Sequence, residues 1–273
     1  MKKIGIVAES LAHSLSPDIH NYWIKKNKLD VEYQSIEIKE KQLNQFFKKF
    51  VDDKNFLGFN ITVPYKEKFF KICPNISDKG KDIGSINLIY KSKNKIFGEN
   101  TDYIGFKKTY EKTIKSKINK VLVIGSGGAA RAILKYLSDK GIYEIDIYSK
   151  SFKKRRAINK GFNINNYFID SNHLISRKYN LIVNASTGGM TNHSKFNSQI
   201  INLVKSTDYL IDIVYNPIKT ALIKEAIKAK ISYSGGLTML LEQAKPSFEL
   251  WLPGNKAKIS SYLYNKVKKK LND

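Results

Sequence analysis

Residues Lys120 to Ala130 constrain this chain more than any other stretch. Lys120 to Ile124 is an aliphatic run rich in β-branched residues, and Gly125-Ser126-Gly127-Gly128-Ala129-Ala130 follows at once. Arg131 to Lys140 continues as a helix stopped by Gly141. A strand, a G-x-G-x-x-A turn and a helix in immediate succession suit a phosphate-bearing ligand. Gly125 allows the tight turn, and Gly127 lets backbone approach a pyrophosphate at the helix N-terminus. Ala130 still permits close packing of helix on strand. A structural turn without a ligand is the alternative.

The same alternation runs through the rest of the chain. Lys3 to Val7, Tyr33 to Ile38 and Phe56 to Val63 read as strands, with helices over Pro17 to Lys28 and Lys41 to Val51. Leu43, Phe46, Phe47 and Phe50 share one face of the second helix. Strand-like runs at Ser85 to Lys91 and Lys95 to Glu99 form a hairpin around Ser92-Lys93-Asn94. A helix over Tyr103 to Lys115 leads to the glycine turn. Strands at Glu144 to Tyr148, Leu181 to Ala185 and Tyr209 to Val214 follow, then helices at Leu237 to Trp251 and Lys256 to Leu271. Such alternation predicts an α/β fold with a mainly parallel sheet covered on both faces.

Beyond the glycine turn, the next strand ends Tyr148-Ser149-Lys150, where a ribose-binding acid is expected. None stands there. Asp146 lies inside the strand, where alternation makes it a solvent-facing or edge residue rather than a ligand. Lys150, Lys153, Lys154, Arg155 and Arg156 crowd the turn instead. A dianionic 2′-phosphate suits that cluster, which favours NADP over NAD. A generic basic helix start is the alternative in so lysine-rich a chain.

Asn60-Ile61-Thr62-Val63-Pro64-Tyr65-Lys66 marks a second site. Phe59, Ile61 and Val63 alternate with polar residues as at the end of a half-buried strand. Pro64 suits the first turn of a helix running through Phe70. Lys66 would then sit at a helix N-terminus, where the dipole disfavours its cation and lowers its pKa, fitting it to pass a proton to a substrate oxygen. A solvated lysine is the plain alternative. In Ser14-Leu15-Ser16-Pro17, Ser16 is a natural N-cap, and two hydroxyls beside free helix-start amides make a carboxylate cradle or simply a cap. Asp102 reads as a cap of the helix it opens, or as an anionic partner for Lys66 and a substrate hydroxyl.

Composition bounds the remaining classes. The chain has 273 residues, 42% of them hydrophobic and spread along most of its length, as in a globular protein. No apolar run approaches the roughly 20 residues needed to span a bilayer, and the apolar start at Ile4 to Ala8 is too short for a signal peptide. Cys73 stands alone, which excludes an intrachain disulfide and a cysteine-clustered metal site. No metal and a cytoplasmic location are expected. Net charge is +24, from 48 Lys and Arg against 24 Asp and Glu. The basic residues are scattered, so this field suits an anionic small molecule better than a nucleic acid.

In sequence order, these segments resemble shikimate dehydrogenases over essentially the whole chain. The resemblance is carried by Ala12 to Pro17 with His20-Asn21, Asn60 to Lys66, Gly84-Ser85-Ile86-Asn87, Asn100-Thr101-Asp102, Gly125 to Ala129 and Asn184-Ala185-Ser186. Asp212 to Pro217 and Gly235 to Leu240 with Gln243 complete it. It implies reversible reduction of 3-dehydroshikimate to shikimate with NADPH in aromatic amino-acid biosynthesis. It further implies a substrate domain of residues 1–102 completed by 237–273, and a Rossmann-like NADP domain of 103–236. Ser14 and Ser16 would hold the substrate carboxylate, and Thr62, Asn87, Asp102 and Gln243 its ring hydroxyls. Lys66 would be the proton donor to the C3 oxygen, with Asp102 beside it. Gly125, Gly127, Gly128 and Ala129 would cradle the pyrophosphate, and Ser149, Lys150 and Lys154 the 2′-phosphate. Tyr215 and Gly236 would line the nicotinamide end, and Gly188-Gly189-Met190 the cofactor cleft.

Departures from the family pattern touch details. Ala8-Glu9-Ser10 stands where Gly-Asn-Pro is common, and Leu88 replaces a threonine. Ser149-Lys150 replaces Asn-Arg, trading a planar fork for a point charge. Pro246 removes one helical hydrogen bond and is expected to kink the helix bearing Gln243. His13 and His20 read as satisfied structural histidines or as supports of the substrate loop, and Cys73 as inert. The competing readings are an NAD-preferring quinate/shikimate dehydrogenase, a non-catalytic relative acting as a regulator, and a basic nucleic-acid binder. A monomer or homodimer fits the enzyme reading.

Overall fold

The computed structural model describes every residue except 13, 152–154, 156, 157, 159, 160, 175, 192, 272 and 273. Two six-stranded sheets each anchor a compact unit. One unit comprises Met1–Thr101 and Gln243–Val267; the other comprises Asp102–Glu242 and Lys268–Asp273. The chain passes from the first unit to the second after Thr101 and re-enters the first at Gln243, inside a helix.

In the first unit, β1 (Lys2–Ala8), β2 (Val31–Glu37), β3 (Phe56–Ile61), β4 (Asn75–Ile76), β5 (Leu88–Ser92) and β6 (Lys95–Glu99) lie in the order β2-β1-β3-β5-β6-β4. The first three strands of that order are parallel, joined through α1 (Ser16–Lys26) and α2 (Leu43–Asp52). β5 runs antiparallel to both β3 and β6, making the sheet mixed. The β5–β6 turn places Lys93 and Asn94 in succession at positive φ, 47° and 60°, the geometry that matches hairpin twist. The aromatic stripe of α2 closes the core: Phe50 and Phe46 meet Phe59 edge-on at 4.9 and 5.1 Å, an arrangement aromatic quadrupoles favour. Lys91 of β5 donates to the carbonyls of Phe50 (2.6 Å) and Asp53 (2.7 Å), satisfying groups the end of α2 leaves open.

Two local expectations change here. The Val63–Pro64 peptide is cis, and α3 (Lys66–Ile72) starts after Tyr65, so Pro64 lies outside the helix and Lys66 is its first residue. α4 (Asp78–Ile83), which has no apolar period in the sequence, is fixed by Ser77, whose hydroxyl accepts the Gly80 N–H at 3.0 Å.

The second unit is a doubly wound sheet. β7 (Lys120–Ile124), β8 (Glu144–Tyr148), β9 (Asn166–Phe168), β10 (Leu181–Asn184), β11 (Tyr209–Asp212) and β12 (Ser232–Ser234) lie in the order β12-β11-β10-β7-β8-β9, all parallel. Winding proceeds outward from β7 to β9, then restarts at β10 on the other side of β7, creating a switch point between β7 and β10. Both faces are buried. Val121, Val123, Ile145 and Ile147 pack with Phe106 of α5 (Asp102–Thr113) and Ile133, Leu134 and Leu137 of α6 (Gly128–Asp139). Leu122, Ile124, Ile182 and Leu210 pack with α7 (Ser198–Val204) and α8 (Ala221–Lys228). Asn197 and Thr220 cap those two helices, accepting from Ile200 and Ile223. The chain ends in α9 (Gly236–Trp251) and α10 (Ser261–Lys269).

Asp146 corrects the sequence reading: it is 1% exposed. A central parallel strand leaves no solvent-facing side, so the carboxylate is satisfied internally, accepting from Asn166 Nδ2 (2.8 Å), Tyr179 Oη (2.9 Å) and Arg177 Nη1 (3.2 Å).

Candidate active site

Strand direction gathers the polar residues of the first unit at one sheet edge. Ser14 and Ser16 follow the carboxyl end of β1, and Thr62 and Lys66 follow that of its parallel neighbour β3. Asn87 immediately precedes β5, which enters antiparallel beside β3, and its carbonyl accepts the Ile61 N–H at 2.8 Å. Asn100 and Thr101 leave the carboxyl end of β6 at the same edge, because Leu88 pairs with Glu99. Asp102 follows as the first residue of α5 and is buried. Ligands of α/β sheets bind outside the carboxyl ends of strands, and this edge is lined by hydroxyls, amides and one ammonium.

A buried hydrogen-bond network fixes these groups. Asn87 Nδ2 donates to Gln243 Oε1 (3.3 Å), and Thr101 donates to the same oxygen (3.2 Å). Asn87 Oδ1 accepts the Thr101 N–H at 2.7 Å. Behind them Asn60 Nδ2 donates to the Asn87 carbonyl (3.2 Å) and to Ser247 Oγ (3.0 Å). Pro246 sits inside a helix assigned continuously from Gly236 to Trp251, and Gln243 still meets Asn87 and Thr101. Sequence reasoning named Asn87 and Gln243 but not Ser247, which has no local motif to announce it.

Ser16 and His20 behave differently from expectation. Ser16 is the first residue of α1 rather than its cap; Leu15 holds the cap position and no side chain caps there. Ser14 Oγ accepts the Ser16 N–H at 3.4 Å. His20 is fully buried with neither ring nitrogen hydrogen-bonded. It stacks on Tyr33 at 4.4 Å and 3° and abuts Trp23, Phe248 and Trp251. Burial pushes its pKa down to about 3, so it is a neutral packing ring and not a satisfied polar one. His13 lies outside the described residues. Cys73 is buried, and desolvation lifts its thiol to about 11, which leaves little thiolate at neutral pH.

The second unit carries the glycine turn at the β7–β10 switch point. Gly125 has φ +111°, and a Cβ there would come within 2.9 Å of the Ala185 and Ser186 backbone. Gly127, the N-cap of α6, faces open space: a Cβ would meet nothing within 4 Å. Gly128 and Ala129 open the helix. An amide-lined helix start with room in front of it fits a dinucleotide pyrophosphate. Ser126 and Ser149 hydroxyls bond at 2.8 Å, tying the turn to the end of β8. Lys150 follows there, exposed, and Asp146 is committed to Tyr179 and Arg177 and so cannot read a ribose. Lys153, Lys154 and Arg156 lie outside the described residues; Arg155 is exposed.

At the other side of the switch point, Asp212 ends β11 fully buried. It accepts from Asn184 Nδ2 (2.8 Å), the Val214 N–H (3.0 Å) and Thr220 Oγ1 (2.6 Å). Burial nonetheless raises its carboxyl to about 6. Asn184 also donates to the Gly188 carbonyl (3.1 Å), so one carboxylate organises the loops that carry Gly188-Gly189 and Tyr215. Burial also raises the Tyr215 hydroxyl above its ordinary pKa. Gly236 cannot bear a side chain: a Cβ would lie 2.1 Å from the Ile213 carbonyl oxygen.

A parallel sheet in this order with a glycine turn at its switch point, following an α/β unit with a polar strand edge, defines a two-domain α/β protein of the dinucleotide-binding class. Comparison narrows the class. Residues 6–89 match the family model described as the shikimate dehydrogenase substrate binding domain. A shikimate dehydrogenase (NADP(+)) of Caldicellulosiruptor bescii is 33% identical over 92% of this chain and 89% of its own length. One from Clostridium perfringens is 36% identical over 92% of each chain. The crystal structure of shikimate dehydrogenase 1 from Peptoclostridium difficile superposes with a TM-score of 0.87, 29% identity and 99% coverage of both chains. The chain belongs to the shikimate dehydrogenase family.

Proposed function

We propose that this chain is an NADP-dependent shikimate dehydrogenase, interconverting 3-dehydroshikimate and shikimate in the shikimate pathway. The observation that carries the reading is the polar edge of the first unit in a chain of this family: Ser14, Ser16, Thr62, Lys66 and Asn87 at adjoining strand ends, with Gln243 bonded to Asn87. The first unit binds the substrate and the second NADP.

Each residue has a chemical task. Ser14 and Ser16 hold the carboxylate by hydroxyl and helix-start amide. Thr62, Asn87, Asp102 and Gln243 read the ring hydroxyls, with Asn87 and Gln243 already oriented by their mutual bond. A site built to bond each hydroxyl rejects analogues lacking one, by roughly 10⁴-fold in well-built cases. NADPH, when bound, supplies the hydride. Negative charge developing on the C3 oxygen is neutralised by a proton from Lys66, at the first position of α3. Gly125, Gly127, Gly128 and Ala129 receive the pyrophosphate, Ser149, Lys150 and Lys154 the 2′-phosphate, and Tyr215 and Gly236 border the nicotinamide.

The experiment is near-ultraviolet absorbance of the folded protein with shikimate or quinate, each with NADP⁺ or NAD⁺. Fast NADPH formation from shikimate is expected. Faster turnover with NAD⁺ and quinate would move the assignment to the quinate-preferring reading. No reduction in any mixture would leave a non-catalytic relative.

A further inference from the structure

We propose that Ser247 is a positioning residue for the substrate, its buried hydroxyl fixing the Gln243 carboxamide from behind; this rests on the reading that Gln243 meets a ring hydroxyl.

Hydrogen-bond polarity carries the inference. The Thr101 N–H can only donate, so the Asn87 side-chain atom it meets at 2.7 Å is Oδ1. Nδ2 of Asn87 then faces Gln243, whose Oε1 accepts it at 3.3 Å. The Thr101 hydroxyl lies 3.1 Å from Asn87 Oδ1 and 3.2 Å from Gln243 Oε1, two atoms that only accept. Its proton is committed to them, so towards Ser247, 3.3 Å away, Thr101 accepts. On the far side Asn60 meets the Asn87 carbonyl at 3.2 Å, which makes the group there Nδ2. The same nitrogen donates to Ser247 Oγ at 3.0 Å, while Asn60 Oδ1 takes the Tyr33 proton at 2.9 Å. Ser247 thus accepts from Asn60 and passes its own proton forward, to Thr101 or to the Gln243 backbone carbonyl at 3.2 Å.

Both destinations bear on Gln243. Donation to the carbonyl holds the backbone of Gln243, one turn before Ser247 on α9. Pro246 has no N–H, so the helix lacks one backbone bond at that turn. Donation to Thr101 strengthens the hydroxyl that pins Gln243 Oε1, because bonds in a chain polarise one another. With Oε1 held by Asn87 and Thr101, Gln243 meets the substrate hydroxyl through Nε2. Ser247 itself is fully buried and acts through these neighbours. Loosening the carboxamide weakens ground-state and transition-state binding alike, so the effect falls on KM and not on kcat.

The test is steady-state oxidation of shikimate at saturating NADP⁺ by the wild type, Ser247→Ala, Gln243→Ala and the double variant. Ser247→Ala is expected to raise KM for shikimate about fivefold, the scale of one neutral hydrogen bond, with kcat within about twofold. In the Gln243→Ala background the same change should leave KM unaltered, because no carboxamide is left to hold. A lowered melting temperature with unchanged KM in Ser247→Ala overturns the proposal and leaves a purely structural residue. An equal rise in KM in both backgrounds overturns it as well, since Ser247 would then act by another route. If Gln243→Ala by itself leaves KM unaltered, the hydroxyl reading beneath the proposal fails instead. Ser247→Ala strands an Asn60 N–H in the interior; should it not fold, Ser247→Cys keeps a weak donor and acceptor in that place. KM should then rise about twofold, and no rise overturns the proposal.

Discussion

At the scale of single residues, Lys66 and Asp212 make separable predictions. Lys66→Ala should cut turnover about 10²-fold or more, the usual size of general acid catalysis, with KM for NADP nearly intact. Unchanged turnover in the folded variant removes Lys66 from the chemistry. Asp212 predicts a stability effect. Its carboxyl rises from 3.8 to about 6 on folding because it is buried, with the bonds from Thr220, Val214 and Asn184 pulling the other way. Between those pH values the folded state keeps a proton that the unfolded state has released. The resulting stabilisation is whole below about pH 4 and is lost as pH rises through about 6. At about 1.4 kcal/mol per unit the full effect is on the order of 3 kcal/mol. Urea unfolding over that range should show the decline in the wild type and not in Asp212→Asn; identical profiles would mean this carboxyl does not titrate there. Lys66, Asn87 and Gln243 were legible in the sequence because short motifs carry them. Tyr33 and Ser247 were not: their bonds to Asn60 span 27 and 187 residues, and nothing local announces such partners.

At the scale of elements, Gly125 and Gly127 of the turn do different work. A side chain at Gly125 meets the Ala185 and Ser186 backbone at 2.9 Å and a positive φ; at Gly127 it meets nothing. Gly125→Ala should therefore cost about 1–3 kcal/mol of stability and NADPH binding together. Gly127→Ala should keep the wild-type melting temperature while weakening NADPH about tenfold, or about 1.4 kcal/mol, because its methyl takes up the pyrophosphate's approach. Melting curves and fluorescence titration of NADPH separate the two effects. Equal NADPH affinity in Gly127→Ala would place the pyrophosphate elsewhere. The elements most legible in the sequence are those that bury continuous apolar runs between turn residues: β7 and β8 match their expected ranges residue for residue. The short strands β4, β9 and β12 and the helices α4, α7 and α8 received no expectation. The three strands are two or three residues long and pair only at sheet edges, so their order comes from neighbours and not from their own pattern. The helix starts near Ser16 and Lys66 were shifted for a related reason. Proline marks a change of direction, but tertiary bonding decides on which residue the first turn closes.

At the scale of the whole molecule, charge is the property with functional reach. The excess of 24 cationic side chains surrounds any anion with an attractive field that ordinary salt weakens, the screening length being about 8 Å at physiological ionic strength. NADP carries about two more negative charges than NAD, both on the 2′-phosphate, so the field acts on the two cofactors unequally. KM for NADP should rise with added potassium chloride more steeply than KM for NAD. A diffuse field and a specific contact then differ in what Lys150→Ala does. Lys150 is exposed at the end of β8, beside the Ser126–Ser149 bond that ties the glycine turn to that strand. If it meets the 2′-phosphate, its loss should raise KM for NADP about tenfold, the scale of one charge-assisted hydrogen bond, change KM for NAD less than about twofold, and flatten the salt dependence seen with NADP. Equal losses for both cofactors, with the salt slopes preserved, would assign the preference to the overall field and the 2′-phosphate to other cations. Kinetics with both cofactors across a salt series, wild type against Lys150→Ala, distinguishes local recognition from bulk attraction in a chain whose lysines are everywhere.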